Sequence, residues 1–165
     1  NWRWLANNYK NNSIIPNNKF IILVTGAAKH RLNKKWPQHR YAALIEHFST
    51  IDIQCALIGG EDEFNNIENI IGLVDKKTIK RPLNYAGRTE YKDIVYLSSY
   101  AKYAIGNDTG PMHLIATSGL STIVLFGSAS DPALCAPKGT NVIIINKGSI
   151  KDISLDLVIN TVKNI

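Results

Sequence analysis

Features that would mark several protein classes are missing from these 165 residues. No apolar run approaches the roughly 20 residues that a membrane-spanning helix needs. The opening segment, NWRWLANNYKNN, is polar and lacks the apolar core of a signal peptide. The only two cysteines, Cys55 and Cys135, lie far apart and form no metal-binding motif. They predict two reduced thiols in a cytoplasmic protein.

The motifs of several common enzyme classes are also missing. No GxGxxG follows the first apolar run, which argues against a dinucleotide site of the usual kind. GxxxxGK[ST], GxSxG and HExxH do not occur either, which argues against P-loop kinases, serine hydrolases and zinc proteases. No convincing acid–base pair is visible. We therefore expect the chain alone to lack a complete catalytic centre.

The net charge of +6 is concentrated in one segment. Residues 29–40, KHRLNKKWPQHR, contain five lysines or arginines, two histidines and no acid, and the rest of the chain is nearly neutral. A local patch indicates a specific anion more than a nucleic acid. The segment and the residue that follows it contribute only Trp36 and Tyr41 as aromatic residues, fewer than a nucleic-acid-binding face would be expected to carry. Nucleic acid is therefore not an expected partner.

Short apolar runs alternate with segments of helical periodicity. Continuous apolar runs are typical of strands buried on both faces, and their alternation with helices predicts an α/β fold with a doubly wound, Rossmann-like parallel sheet. The predicted order is β, α, β, α, α, β, α, β, β, α, with the segment 75–88 irregular. The predicted strands are 20–24, 55–58, 103–106, 122–126 and 141–145, and the predicted helices are 37–51, 61–74, 90–100, 111–119 and 152–165.

Glycine-rich or polar turns follow four of the predicted strands, at 25–28, 59–63, 106–113 and 126–128. In such sheets, ligands bind outside the carboxyl ends of the strands. Four turns at one edge therefore predict a binding crevice. The alternative is that the glycines only supply left-handed turn conformations.

The turn NDTGPMH carries the most specific chemistry. Thr109 or Gly110 is expected to cap a helix that has Pro111 in its first turn. The amides and dipole at that helix start suit a phosphate, which Gly110, in a left-handed conformation, would allow to come close. Asp108 would repel a phosphate and so suits sugar hydroxyls or the organisation of the turn. His113 fits a ligand contact or a packing role equally well.

Charged residues after the first two strands complete the predicted site. Lys34 could reach the phosphates or be a solvated loop charge, and Lys35 is expected to be an exposed loop charge. Among Glu61, Asp62 and Glu63, one acid could accept hydrogen bonds from ribose hydroxyls, as acids do in nucleotide sites. All three could also be ordinary first-turn acids.

Residues 106–127, GNDTGPMHLIATSGLSTIVLFG, closely resemble the hallmark segment of the ADP-heptose:lipopolysaccharide heptosyltransferases, glycosyltransferase family 9. KKWPQHRYAALIEHF (34–48), LIGGEDE (57–63) and YAGRTEYKDIVYLSSYAKYAIGNDTG (85–110) resemble other segments of that family, in the same order. The resemblance extends from about Phe20 to the C-terminus.

The resemblance implies a GT-B fold of two Rossmann-like domains, of which this chain is the C-terminal, donor-binding half. Residues 20–165 would form that domain, and residues 1–19 a lead-in helix and linker from the interdomain region. The donor would be ADP-heptose and the acceptor the lipopolysaccharide inner core, held by an N-terminal domain with the catalytic carboxylate. The family implies no metal or cofactor, and a cytoplasmic location with peripheral contact to the inner membrane. Rival interpretations are a UDP-sugar transferase or epimerase, and a non-catalytic nucleotide-sugar-binding module.

The resemblance also implies roles for individual residues. Ala27 and Ala28 depart from it, because the family often has hydroxyl residues there. The implied contacts are Thr25, Gly26, Ala27, Ala28, Lys34, Thr109 and Gly110 with the diphosphate, Asp108 with the donor sugar, one acid of Glu61 to Glu63 with the ribose, and the backbone of Gly87, Arg88 and Thr89 with the base, while His113 supports the turn.

Overall fold

A computed structural model of the chain describes residues 9–27 and 31–165. Its centre is a sheet of six parallel strands. They are β1 (Phe20–Val24), β2 (Gln54–Ile58), β3 (Leu83–Asn84), β4 (Ala104–Asn107), β5 (Thr122–Phe126) and β6 (Val142–Asn146). The strand order is β3-β2-β1-β4-β5-β6, so the direction of winding reverses between β1 and β4. The predicted Rossmann-like sheet is confirmed.

Helices connect these strands. They are α1 (Gln38–Thr50), α2 (Phe64–Leu73), α3 (Tyr91–Ser98), α4 (Gly110–Thr117), α5 (Pro132–Cys135) and α6 (Leu155–Val162), with single 3-10 turns at Asn12–Ile14, Leu32–Lys34, Glu61–Glu63 and Ile150–Asp152. The longest, α1, has 13 residues. Within the described ranges, no helix is both long and apolar enough to cross a membrane.

The central strands are apolar on both faces because both faces are covered. In β1, Ile21 and Leu23 pack with α1, α2 and α6. Phe20, Ile22 and Val24 point to the opposite face and pack with α3 and α4. The alternation follows from the two-residue period of a strand, and it explains why FIILV is apolar at every position.

Two elements were missed by the sequence prediction, and the helices predicted at 61–74 and 152–165 each begin three residues later than predicted, after a 3-10 turn. The irregular segment 75–88 contains β3, which has only two residues and pairs with β2. The short helix α5 lies between β5 and β6, where no helix was predicted. Parallel neighbours need a crossover connection, and these two elements complete the alternation. The last helix begins at Leu155 and not at 152, because a 3-10 turn precedes it.

The lead-in segment packs on α3 from Tyr9 onward. The Tyr9 hydroxyl donates to Asp93 Oδ1 at 2.6 Å, and the Asn11 amide donates to the same oxygen at 3.1 Å. Burial alone would raise the pKa of Asp93, but the hydrogen bonds from Tyr9, the Glu90 amide and Asn11 outweigh it and hold the pKa below its ordinary value. Tyr9 to Asn11 are not helical, and the rest of the predicted lead-in helix, residues 1–8, lies outside the described residues. The domain boundary near residue 20 stays a prediction.

Candidate functional site

A crevice of about 240 Å³ lies at the carboxyl ends of the central strands, where the winding of the sheet reverses. It is lined by residues of three of the four predicted turns, among them Gly26, Gly59, Gly60, Glu63, Thr109 and Gly110. The fourth turn lines a separate cavity of about 520 Å³ with Gly127 and Ser128. The structure therefore brings three of the predicted turns together at one crevice and places the fourth beside a second cavity.

Asn107, which the sequence analysis did not select, organises the rim of this crevice. Its side chain is fully buried, and its Nδ2 donates to the carbonyls of Thr25 at 2.8 Å and Gly26 at 3.1 Å. Its Oδ1 accepts from the Trp36 amide at 3.1 Å and the Tyr41 hydroxyl at 3.0 Å. All four hydrogen-bonding positions of the amide are used, so one side chain holds the turn after β1, the following loop and α1.

The hydroxyl of Tyr41 and the indole of Trp36 complete this buried network. Burial raises the pKa of Tyr41 well above its ordinary value, so the hydroxyl remains a donor. Trp36 is 1% exposed, and its indole N–H donates to the carbonyl of Ile153 at 2.8 Å. A signal was present in the sequence, since Asn107 is a polar residue at the end of a buried strand, but its four partners lie far away in the chain.

The helix α4 starts at the crevice, as predicted. Thr109 occupies the N-cap position and Pro111 the first turn, but the Thr109 hydroxyl donates back to the Asn107 carbonyl at 3.3 Å and does not cap the helix. Pro111 has no N–H, and the amides of Met112 and His113 both donate to the Thr109 carbonyl, at 3.0 Å and 3.3 Å. Among the described residues, the first turn therefore leaves the Gly110 amide as its donor for an anion. Gly110 does not have the left-handed conformation that was expected; among the described glycines only Gly87 and Gly119 do.

Asp108 is the centre of a polar cluster beside α4. Lys34 Nζ lies 2.7 Å from Asp108 Oδ2, which also accepts from the Ser130 hydroxyl at 3.0 Å. His113 Nε2 lies 3.4 Å from Oδ1. The Lys34 and Asp108 side chains are only 12% and 6% exposed. Lys34 is therefore not a solvated loop charge, and its cation is already paired at the rim.

The structure distinguishes the three acids that follow β2. Glu63 is buried and lines the crevice. Asp62 also lines it but is exposed, and Glu61 is exposed and does not line it. Lys35 Nζ lies 3.0 Å from Glu63 Oε1 and 3.3 Å from Oε2. The expectation that Lys35 is an exposed loop charge is wrong, because its side chain is 22% exposed and reaches across to this carboxylate.

A third cavity, of about 560 Å³, adjoins the crevice and shares Gly59, Gly60 and Gly110 with it. Of the three residues predicted to border a base, Thr89 lines this cavity, whereas Gly87 and Arg88 do not. Gly87 has a φ of 69°, and its amide donates to the Gly59 carbonyl at 3.0 Å. The left-handed conformation of Gly87 and its hydrogen bond to Gly59 hold residues 87–89 beside the crevice.

The predicted phosphate turn after β1 is only partly placed at the crevice. Gly26 and Ala27 line it. Thr25 is 1% exposed and does not line it; its hydroxyl accepts from Asn66 at 3.4 Å. Ala28 lies outside the described residues.

Comparisons with known proteins bear on this geometry. A sequence model of glycosyltransferase family 9 (heptosyltransferase) matches residues 4–155. Over 97 residues, the chain is 27% identical to lipopolysaccharide heptosyltransferase 2 of Salmonella typhimurium and 30% identical to lipooligosaccharide heptosyltransferase 2 of Haemophilus influenzae. Each match covers 59% of this chain and 28% of the relative.

Solved structures show the same fold. The E. coli ADP-heptose lipopolysaccharide heptosyltransferase II matches with a TM-score of 0.83 and 22% identity, over 98% of this chain and 50% of that chain. A family 9 glycosyltransferase of Veillonella parvula matches with a TM-score of 0.80 and 19% identity, over 99% and 51%. The chain thus spans about half the length of these structures, and the predicted fold class, one half of a GT-B glycosyltransferase, is confirmed.

Proposed function

Because the chain belongs to glycosyltransferase family 9, the heptosyltransferases, we propose that it is the half of such an enzyme that binds the nucleotide-sugar donor, ADP-heptose. One observation carries the proposal: the start of α4 and the buried carboxylate of Glu63 face the same crevice where the sheet reverses. Helix starts suit phosphates, and carboxylates suit ribose hydroxyls. Two related structures are described as E. coli heptosyltransferase with ADP and with ADP-2-deoxy-2-fluoro heptose, which supports an ADP-sugar over a UDP-sugar.

The crevice suggests how the donor lies. The diphosphate is placed against the start of α4, where Thr109 and Gly110 line the crevice. The ribose is placed at Glu63, and the base in the adjoining cavity beside Thr89. The donor sugar is placed near Asp108, whose carboxylate is held by Lys34.

The proposed reaction inverts the configuration at the anomeric carbon. A hydroxyl of the acceptor attacks that carbon, the bond from the carbon to the phosphate oxygen breaks, and ADP leaves with the electron pair. The proton of the hydroxyl passes to a carboxylate, which we place in an N-terminal domain of the full enzyme. Lys34 and the start of α4 stabilise the negative charge on the leaving diphosphate without requiring a metal ion.

The remaining assignments follow from the family. We propose that the acceptor is the lipopolysaccharide inner core, bound through the N-terminal domain. Its synthesis would place the enzyme in the cytoplasm, in peripheral contact with the inner membrane. Cys55 and Cys135 are both free thiols, which agrees with a reducing compartment.

Calorimetric titration of the chain with ADP, UDP and ADP-heptose tests the donor assignment. We expect ADP and ADP-heptose to bind more tightly than UDP, and tighter binding of UDP would favour the UDP-sugar enzymes. We also expect the isolated chain to release no ADP from ADP-heptose in the presence of acceptor. Steady turnover by this chain would refute the location of the catalytic base. A longer gene product that binds the donor but never transfers the sugar would favour the binding module.

A further inference from the structure

Two consecutive lysines reach different strands across the rim of the crevice. Lys34 pairs with Asp108 after β4, and Lys35 pairs with Glu63 after β2. Lys35 contacts both oxygens of its carboxylate, at 3.0 Å and 3.3 Å. It is not among the residues that line the crevice, whereas Glu63 is. Lys35 therefore acts on the crevice through Glu63.

Besides Lys35, Asn66 and the turn at Gly26 also fix the position of the Glu63 carboxylate. Asn66 Nδ2 donates to Oε2 at 3.0 Å, and Asn66 Oδ1 accepts from Gln38 Nε2 at 2.8 Å. A Cβ at Gly26 would lie 2.7 Å from Glu63 Cδ, so the absence of a side chain there admits the carboxylate. The carboxylate thus has one defined position, between the turn after β1 and the start of α2.

This position leaves acceptor capacity on the carboxylate. A carboxylate has about four lone-pair sites. Among the described residues, Oε2 accepts from Lys35 and Asn66, while Oε1 accepts from Lys35 alone. Oε1 can therefore accept from a hydroxyl of a ligand in the crevice.

The ion pair also resolves an electrostatic conflict. A carboxylate without a counter-ion would repel a diphosphate bound at the start of α4, because Glu63 and Gly110 line the same crevice. With Lys35 attached, the local charge of the pair is zero. The carboxylate can then accept hydrogen bonds beside an anion.

On the basis of the proposed function, we propose that Lys35 is a positioning residue that holds Glu63 for the ribose hydroxyls and so determines the preference of the site for ribonucleotides. Loss of Lys35 leaves Glu63 tied only through Oε2 to Asn66, so Oε1 can turn away from the ribose. It also leaves the carboxylate charge unbalanced, which weakens every nucleotide diphosphate alike. The positioning effect is therefore the part that depends on the sugar hydroxyls.

The test compares ADP with 2′,3′-dideoxy-ADP, which has the diphosphate but no ribose hydroxyl on C2′ or C3′. Calorimetry gives the ratio of the two dissociation constants for the parent chain and for Lys35→Met, Lys35→Arg and Glu63→Gln. Hydrogen bonds to a charged group make a parental preference of about 10- to 150-fold for ADP the expected value. Lys102→Ala is the charge-matched control, because Lys102 is exposed and precedes β4 at the opposite edge of the sheet.

We expect Lys35→Met and Glu63→Gln to reduce the preference to within about threefold of unity. Lys35→Met should also weaken dideoxy-ADP, but less than ADP, because the unbalanced carboxylate repels the diphosphate. Lys35→Arg should retain most of the preference, and Lys102→Ala all of it. Because the positioning effect acts through Glu63, Lys35→Met should not change the ratio further in the Glu63→Gln chain.

Two results would overturn the inference. Equal weakening of both nucleotides by Lys35→Met would mean that the lysine acts only on the diphosphate. Unchanged affinities for both nucleotides in a folded Lys35→Met chain would mean that the ion pair is structural only. If Lys35→Met does not fold, the Glu63→Gln and Lys35→Arg ratios decide the outcome. Failure of the parent chain to bind either nucleotide would refute the proposed function as well, whereas ADP binding with an unaffected ratio refutes this inference alone.

Discussion

Replacement of Gly110 by valine tests the phosphate position without disturbing the fold. A Cβ at Gly110 meets no atom within 4 Å outside its two chain neighbours, and its backbone is not left-handed. Pro111 follows, and a proline disfavours the helical conformation of the residue before it by contact with that residue's Cβ. We therefore expect Gly110→Val to fold with a melting temperature slightly below that of the parent chain.

The same substitution should remove much of the nucleotide affinity. Gly110 begins α4 and lines the crevice, so the new methyl groups occupy the space through which a phosphate reaches the Gly110 amide. Loss of one hydrogen bond to a charged group costs about 1.5–3 kcal/mol, which weakens binding by about 10- to 150-fold. Gly110→Ala adds only the Cβ and should weaken binding less.

Calorimetry with ADP and thermal unfolding measure the two effects on the same protein. Gly72→Val is the matched control, because a Cβ at Gly72 also meets no atom within 4 Å and Gly72 lies in α2. It should leave the ADP affinity unchanged. Parental ADP affinity in a folded Gly110→Val chain would refute the position assigned to the phosphate.

Three further changes test the rim and the lead-in segment. Lys34→Ala removes the cation from an Asp108 side chain that is 6% exposed, so it should lower both the melting temperature and the ADP affinity. Adding Asp108→Asn should restore the melting temperature but not the ADP affinity. The control Lys102→Ala should change neither quantity. Asn107→Asp removes two donated hydrogen bonds and should lower the free energy of unfolding in urea by about 2–6 kcal/mol, since each buried carbonyl left unpaired costs about 1–3 kcal/mol. The hydrogen bonds that lower the pKa of Asp93 give a stabilisation that is fully present above the ordinary pKa of 3.8. This stabilisation is lost as the pH falls through the lower pKa of the folded state. The difference in melting temperature between the parent and Asp93→Asn should therefore shrink below about pH 3.8.

Each of these predictions has a contrary result. Recovery of ADP affinity with the double variant would show that Lys34 matters only as the partner of Asp108. An unchanged urea midpoint in Asn107→Asp would mean that the buried amide does not hold the rim. A difference in melting temperature that is independent of pH would remove Asp93 from the acid transition.

The parts of the fold that could be predicted from sequence are those with a local cause. FIILV is apolar at every position because both faces of β1 are covered, and this pattern is visible without tertiary information. β3 could not be predicted, because two residues carry no period and their strand conformation depends on pairing with β2. The short α5 has only four residues and therefore no visible period, but Asp131 at its N-cap and Pro132 in its first turn are local signals that the sequence analysis overlooked.

The candidate site shows the same division. The turn at Thr109 and Gly110 was predictable, because Thr, Gly and Pro at a helix start have a local reason. The partner of Lys35 could not be predicted, because Glu63 lies 28 residues away in the chain. Nothing local in the sequence tells that Lys34 turns to Asp108 after β4 while Lys35 turns to Glu63 after β2. Asn107 was missed for the same reason, because its four partners come from the turn after β1, the loop that follows and α1.

The buried position of Trp36 gives the chain an optical reporter at its candidate site. Its amide is tied to Asn107, and its indole, shielded from water, is tied to Ile153. The emission of an indole depends on its contact with water, and this one follows directly after the two lysines of the rim. With Trp2 and Trp4 replaced by phenylalanine, fluorescence would report on a single place. A nucleotide that pulls Lys34 or Lys35 towards its phosphates would also move the indole, so rim rearrangement could be followed by stopped-flow mixing in real time.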